Sequence, residues 1–237
     1  MSYIIFNNKN SLDIKGLYIN SLPTLDSPER RVTKTQVVGR SGDLRVIESD
    51  EYGEDVYNSI EKQVQITYVG SNYDLIKNWL KGTSNLILSN QPDRYWKASI
   101  DNTIPVEYII EQVNTFTITF SCYPYAFLKV GDTPIIYTPT QNTWETIIMN
   151  KYNLSMPRLK IYGQGDIGVQ INRIETDFYN VDQYIECDSD LQQCYRGTQN
   201  MGMNMSGDFP VLYSGENIIE FTGNIKEVQI IPRWRVL

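Results

Sequence analysis

Alternation with a period of two governs the longest patterned stretches of this sequence. Val64, Ile66 and Tyr68 alternate with Gln63, Gln65 and Thr67. Phe116, Ile118, Phe120 and Cys122 alternate with Thr115, Thr117, Thr119 and Ser121. Successive strand residues point to opposite faces, so this spacing predicts half-buried antiparallel strands with one apolar and one polar face. Shorter strand candidates are LYIN at 17–20, NLILS at 85–89, VEYII at 106–110, RLKIY at 158–162, VQI at 169–171 and VQIIP at 228–232. One segment departs from the period. SNYDLIKNWLKG places Leu75, Ile76, Trp79 and Leu80 on one helical face, with Asn72 positioned to cap the start and Gly82 the end. A mainly β chain with a single short helix is therefore expected.

A length of 237 residues accommodates one or two domains with their own cores. The 17 Tyr, 7 Phe and 4 Trp suit sheets and interfaces. A net charge of −7 argues against a nucleic-acid grip, which needs a basic surface. The sequence has no His, which removes the usual general base, the commonest metal ligand and every Ser-His or Cys-His arrangement. Cys122, Cys187 and Cys194 are odd in number and lack the dense spacing of a disulfide scaffold. Free buried thiols are expected, although Cys187 and Cys194 are close enough in sequence to pair across a turn. MSYIIFNNKNSL has neither the basic start nor the long apolar core of a signal peptide. No apolar stretch approaches the ~18–20 residues of a membrane span. Folding in a cytoplasm is the expectation.

KVGDTPIIYTPTQNTWETIIMNKYNLSMP, with Pro134, Pro139 and Pro157, reads as a connection between a first domain ending near Val130 and a second, all-β domain. The acidic ESDEYGED at 48–55 lacks the ligand order of a calcium loop and reads as a solvated turn or arm.

Several motifs resemble reaction chemistry. GQGDIG at 163–168 fits G-x-G-x-x-G, but strand-like residues flank it on both sides. A dinucleotide site needs a helix to begin inside the motif, so Gly163 and Gly165 are expected to form a hairpin turn. Asp188, Asp190, Asp208 and Glu216 are the carboxylates that could form a glycosidase pair, and their spacing singles out none. Turn and cap chemistry explains such acids more simply. ECDSDLQQC does not match zinc-ligand spacing. MGMNM at 201–205 reads as a soft contact surface or as filler. In GDFPVLYSGENIIEF, Phe209, Leu212, Ile218 and Phe221 read as core residues. Pro210 and Gly215 shape the connection there, and Asn217 ties its backbone.

Taken in order, these stretches resemble the distal tail proteins of siphovirus-type phages, the hub at the tail tip. IIFNNKNSLDIKGLYI is similar to the family's opening hairpin, and VVGRSGD at 37–43 to its G-R-x-G turn. DLIKNWL follows, then LILSNQPDRYWKA at 86–98, and TFTITFSCYPYAF at 115–127 closes the first domain. PRLKIYGQGDIGVQIN, ECDSDLQQCY and GDFPVLYSGENII carry the likeness through the second domain. Phe127 stands where a Tyr is usual, and Ser214 where Pro is common.

The resemblance implies a belt domain over 1–130 with one helix, and a galectin-like β-sandwich over 131–237. Residues 131–157 would form the linker, and the last strand would return to the first domain. It further implies a homohexameric ring that joins the tail tube to the tip or baseplate and leaves a channel for DNA. The implied partners are further copies of the chain, the tail tube protein, a tail-tip or tail-associated lysin protein and receptor-binding baseplate proteins. No cofactor, catalytic residue or specific nucleic-acid contact is implied, and the protein would reside in the virion tail tip after synthesis in the bacterial cytoplasm. Acidic residues lining the channel would repel DNA phosphates. Gly39, Arg40, Ser41 and Gly42 are the expected interface residues, because two glycines permit unusual φ and Arg40 can make bidentate charged contacts. The alternative is a carbohydrate-binding module using Trp144, Tyr152 and Tyr195.

Overall fold

The structure, a computed structural model, describes residues 2–101 and 113–237. The strand expected at 106–110 lies outside the described residues. The chain is mainly β, as its alternation predicts, and divides into two compact units. One runs to Ala126 and includes Leu237, and the other is Phe127–Val236.

The first unit contains β1 (Ile4–Phe6), β2 (Lys9–Asn10), β3 (Leu17–Ser21), β4 (Val32–Thr35), β5 (Leu44–Ile47), β6 (Ile60–Val69), β7 (Thr83–Leu88) and β8 (Gln91–Ser99). It is completed by β9 (Val113–Leu128), whose last two residues belong to the second unit. Its main sheet has the order β2-β1-β7-β8-β9-β6-β3. Val64 and Ile66 of β6 and Phe116, Ile118 and Phe120 of β9 are buried on one face. Lys62 continues that buried row, and its ammonium lies 4.4 Å above the Trp96 ring. A cation at a core-facing position is tolerated there because the ring's electron-rich face attracts it.

Helix α1 (Tyr73–Trp79) begins where Asn72 accepts from the Leu75 N–H. It buries Ile76 and Trp79, with Leu80 at its C-cap. The Trp79 indole N–H donates to the Phe6 carbonyl (2.9 Å), and the Asn7 amide donates to the carbonyls of Trp79 and Lys81. The carbonyl of Trp79, the last helical residue, and that of Lys81 just beyond it are thus satisfied by the opening hairpin.

The second unit contains β10 (Ile135–Tyr137), β11 (Thr143–Asn150), β12 (Arg158–Ile171), β13 (Ile174–Asp188), β14 (Gln193–Arg196), β15 (Gln199–Asn200), β16 (Met205–Gly207) and β17 (Gly215–Ile231). β10 and β11 fall within the segment that the sequence suggested was a linker. Both pair with β17, and β11 does so over eight residues. The alternation of Trp144, Thr146 and Ile148 is the strand signal that the prolines on either side concealed.

β17, β12 and β13 form a continuous antiparallel centre. Their ends have different neighbours. β10 joins β17 near Val228–Ile230 and β14 joins β13 at Glu186–Asp188, whereas β11 joins β17 at Gly215–Thr222 and β16 joins β13 at Thr176–Phe178. Between the two ends the register shifts at Tyr162/Gly163 and between Gln164 and Ile167. Gly165, Asn180 and Gly223 all take positive φ at this level. Bulges bend and twist a strand, so each long strand passes through a corner and contributes to both layers. Leu159, Ile161, Ile167, Ile171, Phe178, Ile185, Phe221 and Ile230, from both sides of the corner, belong to one buried core. That arrangement is a β-sandwich whose layers share strands.

The corner corrects the expected role of Gly163 and Gly165. They do not form a hairpin turn, because β12 runs through them to Ile171. The turn is Asn172–Arg173, with Asn172 at φ 56°. Gly163 is required for a different reason. A Cβ there would lie 2.6 Å from the Asn224 carbonyl oxygen and 2.7 Å from Ile167 Cδ1.

Candidate functional site

The feature of the first unit with the least internal support is the hairpin β4–β5. It forms its own two-stranded sheet, with Val32 opposite Ile47, Thr33 opposite Val46, Lys34 opposite Arg45 and Thr35 opposite Leu44. Its base is pinned by backbone bonds Arg31 N to Val56 O, Val56 N to Glu48 O and Asn58 N to Glu29 O, and by the Arg30–Asp55 ion pair at 3.1 Å. Beyond the base, every residue from Thr33 to Glu48 is exposed. An isolated two-stranded hairpin is marginal in water. This one also exposes Val37, Val38, Leu44, Val46 and Ile47, and Val38 is fully solvated.

The tip holds the candidate interface residues Gly39, Arg40, Ser41 and Gly42. The Arg40 N–H donates to the Val37 carbonyl (3.1 Å), closing a turn. Gly39 and Gly42 both adopt φ 80°, and a Cβ on either would meet nothing within 4 Å. The glycines are therefore used for backbone conformation alone, not for clearance. The side chains of Arg40 and Ser41 are exposed.

Charge separates this arm from the remainder. Residues 30–47 carry five cations (Arg30, Arg31, Lys34, Arg40, Arg45) and one anion (Asp43), a net of +4. With −7 for the whole chain, the rest carries −11. Lys34 opposite Arg45 is a like-charge cross-strand pair, which weakens the free hairpin. An anionic partner would reverse that penalty. Arg40 stands out in the sequence by the glycines around it, whereas the net charge of the arm emerges only when charge is summed over 30–47.

The acidic turn at the base is built from local hydrogen bonds. Asp50 Oδ1 accepts from the N–H groups of Tyr52 (3.0 Å) and Glu54 (2.9 Å). Among the described residues no group of His, Cys, Asp or Glu is arranged to hold a metal ion, and no helix is long and apolar enough to cross a membrane.

In the second unit the four candidate carboxylates do not converge on a reaction site. Asp188 is buried and receives two hydrogen bonds of 2.6 Å from Arg233, with Asp190 at 3.9 Å from the same guanidinium. Burial alone would push the Asp188 carboxyl up, but the Arg233 hydrogen bonds and charge outweigh it and hold it below the usual carboxylate range. Asp208 and Glu216 are exposed, with the Asp208 N–H donating to the Glu175 carbonyl and Glu216 opposite Met149 in the sheet.

Asn217 is fully buried. Its Oδ1 accepts from the Tyr213 N–H (2.8 Å) and from Asn172 Nδ2 (3.0 Å), while its Nδ2 donates to the Tyr213 (2.8 Å) and Gly215 (3.2 Å) carbonyls. Gly215 takes φ 99°, and Pro210 is buried beside Val211 and Leu212. Ile218, expected in the core, faces outward instead, since Asn217, Ile219 and Phe221 take the inward positions of β17.

Two of the three aromatics considered for a sugar platform are committed to packing. Trp144 stacks on Phe221 with ring centroids 5.6 Å apart, and Tyr152 lies against Trp234 at 6.2 Å.

No family model matches the sequence, and no curated protein does. Among solved structures, the chain is similar to the crystal structure of the SPP1 Dit (gp 19.1) protein, described as a paradigm of the hub adsorption apparatus in phages that infect Gram-positive hosts. The two are 11% identical and superpose with a TM-score of 0.74, each covered over 100% of its length. Over its whole length, the chain has the fold of that tail hub protein.

Proposed function

We propose that this chain is a non-enzymatic structural component of a phage tail, a distal tail protein. Copies of it form a homohexameric ring that connects the tail tube to the tip or baseplate proteins and leaves a channel for DNA. The observation that carries this reading is full-length fold similarity to a hub protein at a TM-score of 0.74, which covers both units and not a shared sandwich alone. The β4–β5 arm supports self-association. It is an exposed, cationic hairpin with apolar side chains, on a chain that is otherwise strongly anionic. A second copy supplies the complementary charge, and head-to-tail contacts of this kind close into rings. In this reading the first unit forms the ring, and Gly39, Arg40, Ser41 and Gly42 sit at the contact between copies.

Negative-stain microscopy and light scattering of the purified protein test the proposal. Six-fold rings with a central hole are expected, and a monomer at all accessible concentrations with no ring in the presence of tail tube protein would overturn it.

A further inference from the structure

Cys187 and Cys194 stand directly opposite each other in the β13–β14 ladder. The Cys194 carbonyl accepts from the Met201 N–H (2.8 Å), on the side of β14 away from β13. Cys194 therefore turns its backbone groups away from Cys187, and the two occupy a non-hydrogen-bonded pair. This is the narrower of the two antiparallel sites, with Cα atoms about 4.5 Å apart. That spacing lies within the range of about 4.4–6.8 Å bridged by disulfides. Directly opposed residues share a face, and here it is the core face, where both side chains are buried in the same cluster. Both are free thiols.

We propose that Cys187 and Cys194 are a disulfide-forming pair, a covalent modification site that fastens strand β14 to β13 when the chain meets an oxidising medium. The inference rests on the local register and on no part of the tail reading. A small-molecule disulfide such as oxidised glutathione completes the chemistry. The Cys194 thiol loses its proton and its sulfur attacks the glutathione disulfide, whose S–S bond breaks and releases one glutathione thiolate. Cys187 then loses its proton and attacks the Cys194 sulfur, releasing the second. Two protein thiols are oxidised, one glutathione disulfide is reduced, and the two protons end on the departing thiolates.

Burial raises both thiols, Cys194 to about 12, and at Cys187 the neighbouring Cys194 and Asp188 add to the effect. The closed ladder is accordingly unreactive, and exchange proceeds when the edge opens. That edge is short. β14 pairs with β13 over three residues and with β15 over two, reinforced by Arg196 donating to the Asp182 carbonyl (2.7 Å).

The test uses the intact protein, incubated with excess oxidised glutathione at mildly alkaline pH, acid-quenched, then unfolded and alkylated in denaturant and digested with trypsin without reduction. Cleavage after Arg173 and Arg196 leaves both cysteines in the single peptide 174–196. That peptide is expected unalkylated and lighter by two hydrogens, while Cys122 is alkylated. The oxidised protein is expected to melt several degrees higher than the reduced one. Two alkylated cysteines after prolonged exposure in sub-denaturing urea would overturn the proposal. So would stable glutathione adducts, or a lower melting temperature on oxidation. A Cys194→Ser variant is expected to lose the mass change, which ties it to this pair.

Discussion

Two antiparallel hairpins in this chain, β4–β5 and β12–β13, differ in what their alternation serves. In β12–β13, thirteen register pairs surround a two-residue turn, and the inward face of Leu159, Ile161, Ile171 and Phe178 lies in a core. In β4–β5, four pairs lead to a glycine-rich tip, and Leu44, Val46 and Ile47 lie in solvent. Burial of apolar area stabilises the first hairpin within the chain. The second has almost no such contribution beyond the backbone bonds and the Arg30–Asp55 ion pair at its base, so it is the hairpin that covering by a partner would stabilise most. The contrast teaches that apolar residues in a strand report a surface to be covered, without saying whether the cover belongs to the same chain.

Substitutions that separate these two cases have graded expectations. The largest effect is expected at the sandwich corner. A Cβ at Gly223 would lie 2.5 Å from the Asp166 carbonyl oxygen at φ 110°. Gly223→Val and, independently, Phe178→Ala are each expected to cost about 3–5 kcal/mol in urea unfolding. A loss below about 1 kcal/mol at both sites would mean that the shared-strand core is not what stabilises the second unit.

Next is Asp188→Asn, which leaves Arg233 half-buried without its carboxylate. A loss of about 2–4 kcal/mol is expected by the same measurement. The native carboxyl is held below its unfolded value. Its stabilisation is therefore complete at neutral pH and is lost as pH falls below the ordinary carboxylate range toward the lower native value. The variant's stability curve should be flatter than the wild type's over that acidic window. Parallel curves would remove the Asp188–Arg233 pair from the acid response.

The smallest effects on folding are expected in the arm. Ile47→Ala should change unfolding by no more than about 0.5 kcal/mol, against about 2–5 kcal/mol for Ile171→Ala on the buried hairpin. Arg40→Ala should also leave monomer stability unchanged while shifting self-association to higher protein concentration. An unchanged association curve for Arg40→Ala in light scattering, with intact rings, would remove the tip from the contact.

The sequence made the strands readable wherever one face is buried and the other wet, as in β6 and β9. It failed where that contrast was masked. β11 alternates, yet Ile147 and Met149 on its outer face are as apolar as Ile148 beneath, and flanking prolines suggested a connection. The GQGDIG glycines looked like a turn because composition does not distinguish a reversal of the chain from a bulge that merely bends it. On β17 the partner of Gly163 is Ile225 and that of Gly168 is Thr222, about 60 residues away, so the register that decides the matter is non-local. Ile218 was misplaced by one position for the same reason. A period of two leaves two phases, and the buried Asn217 occupied the one that a hydrophobicity reading assigns to an apolar residue. At the arm, the tip residues are legible from their glycines, whereas the charge reversal is spread over 18 positions and has no local motif.

The corner through which β12, β13 and β17 pass has a mechanical consequence. In a sandwich whose layers are joined by loops, tension applied to one layer reaches the other through side-chain contacts or flexible linkers. Here three covalent backbones run from one layer into the other. A pull on β11 or β16 passes through its hydrogen-bonded ladder to β17 or β13 and from there along that strand's main chain to the opposite layer. The second unit should therefore yield as a single body, at one force, when stretched between its layers.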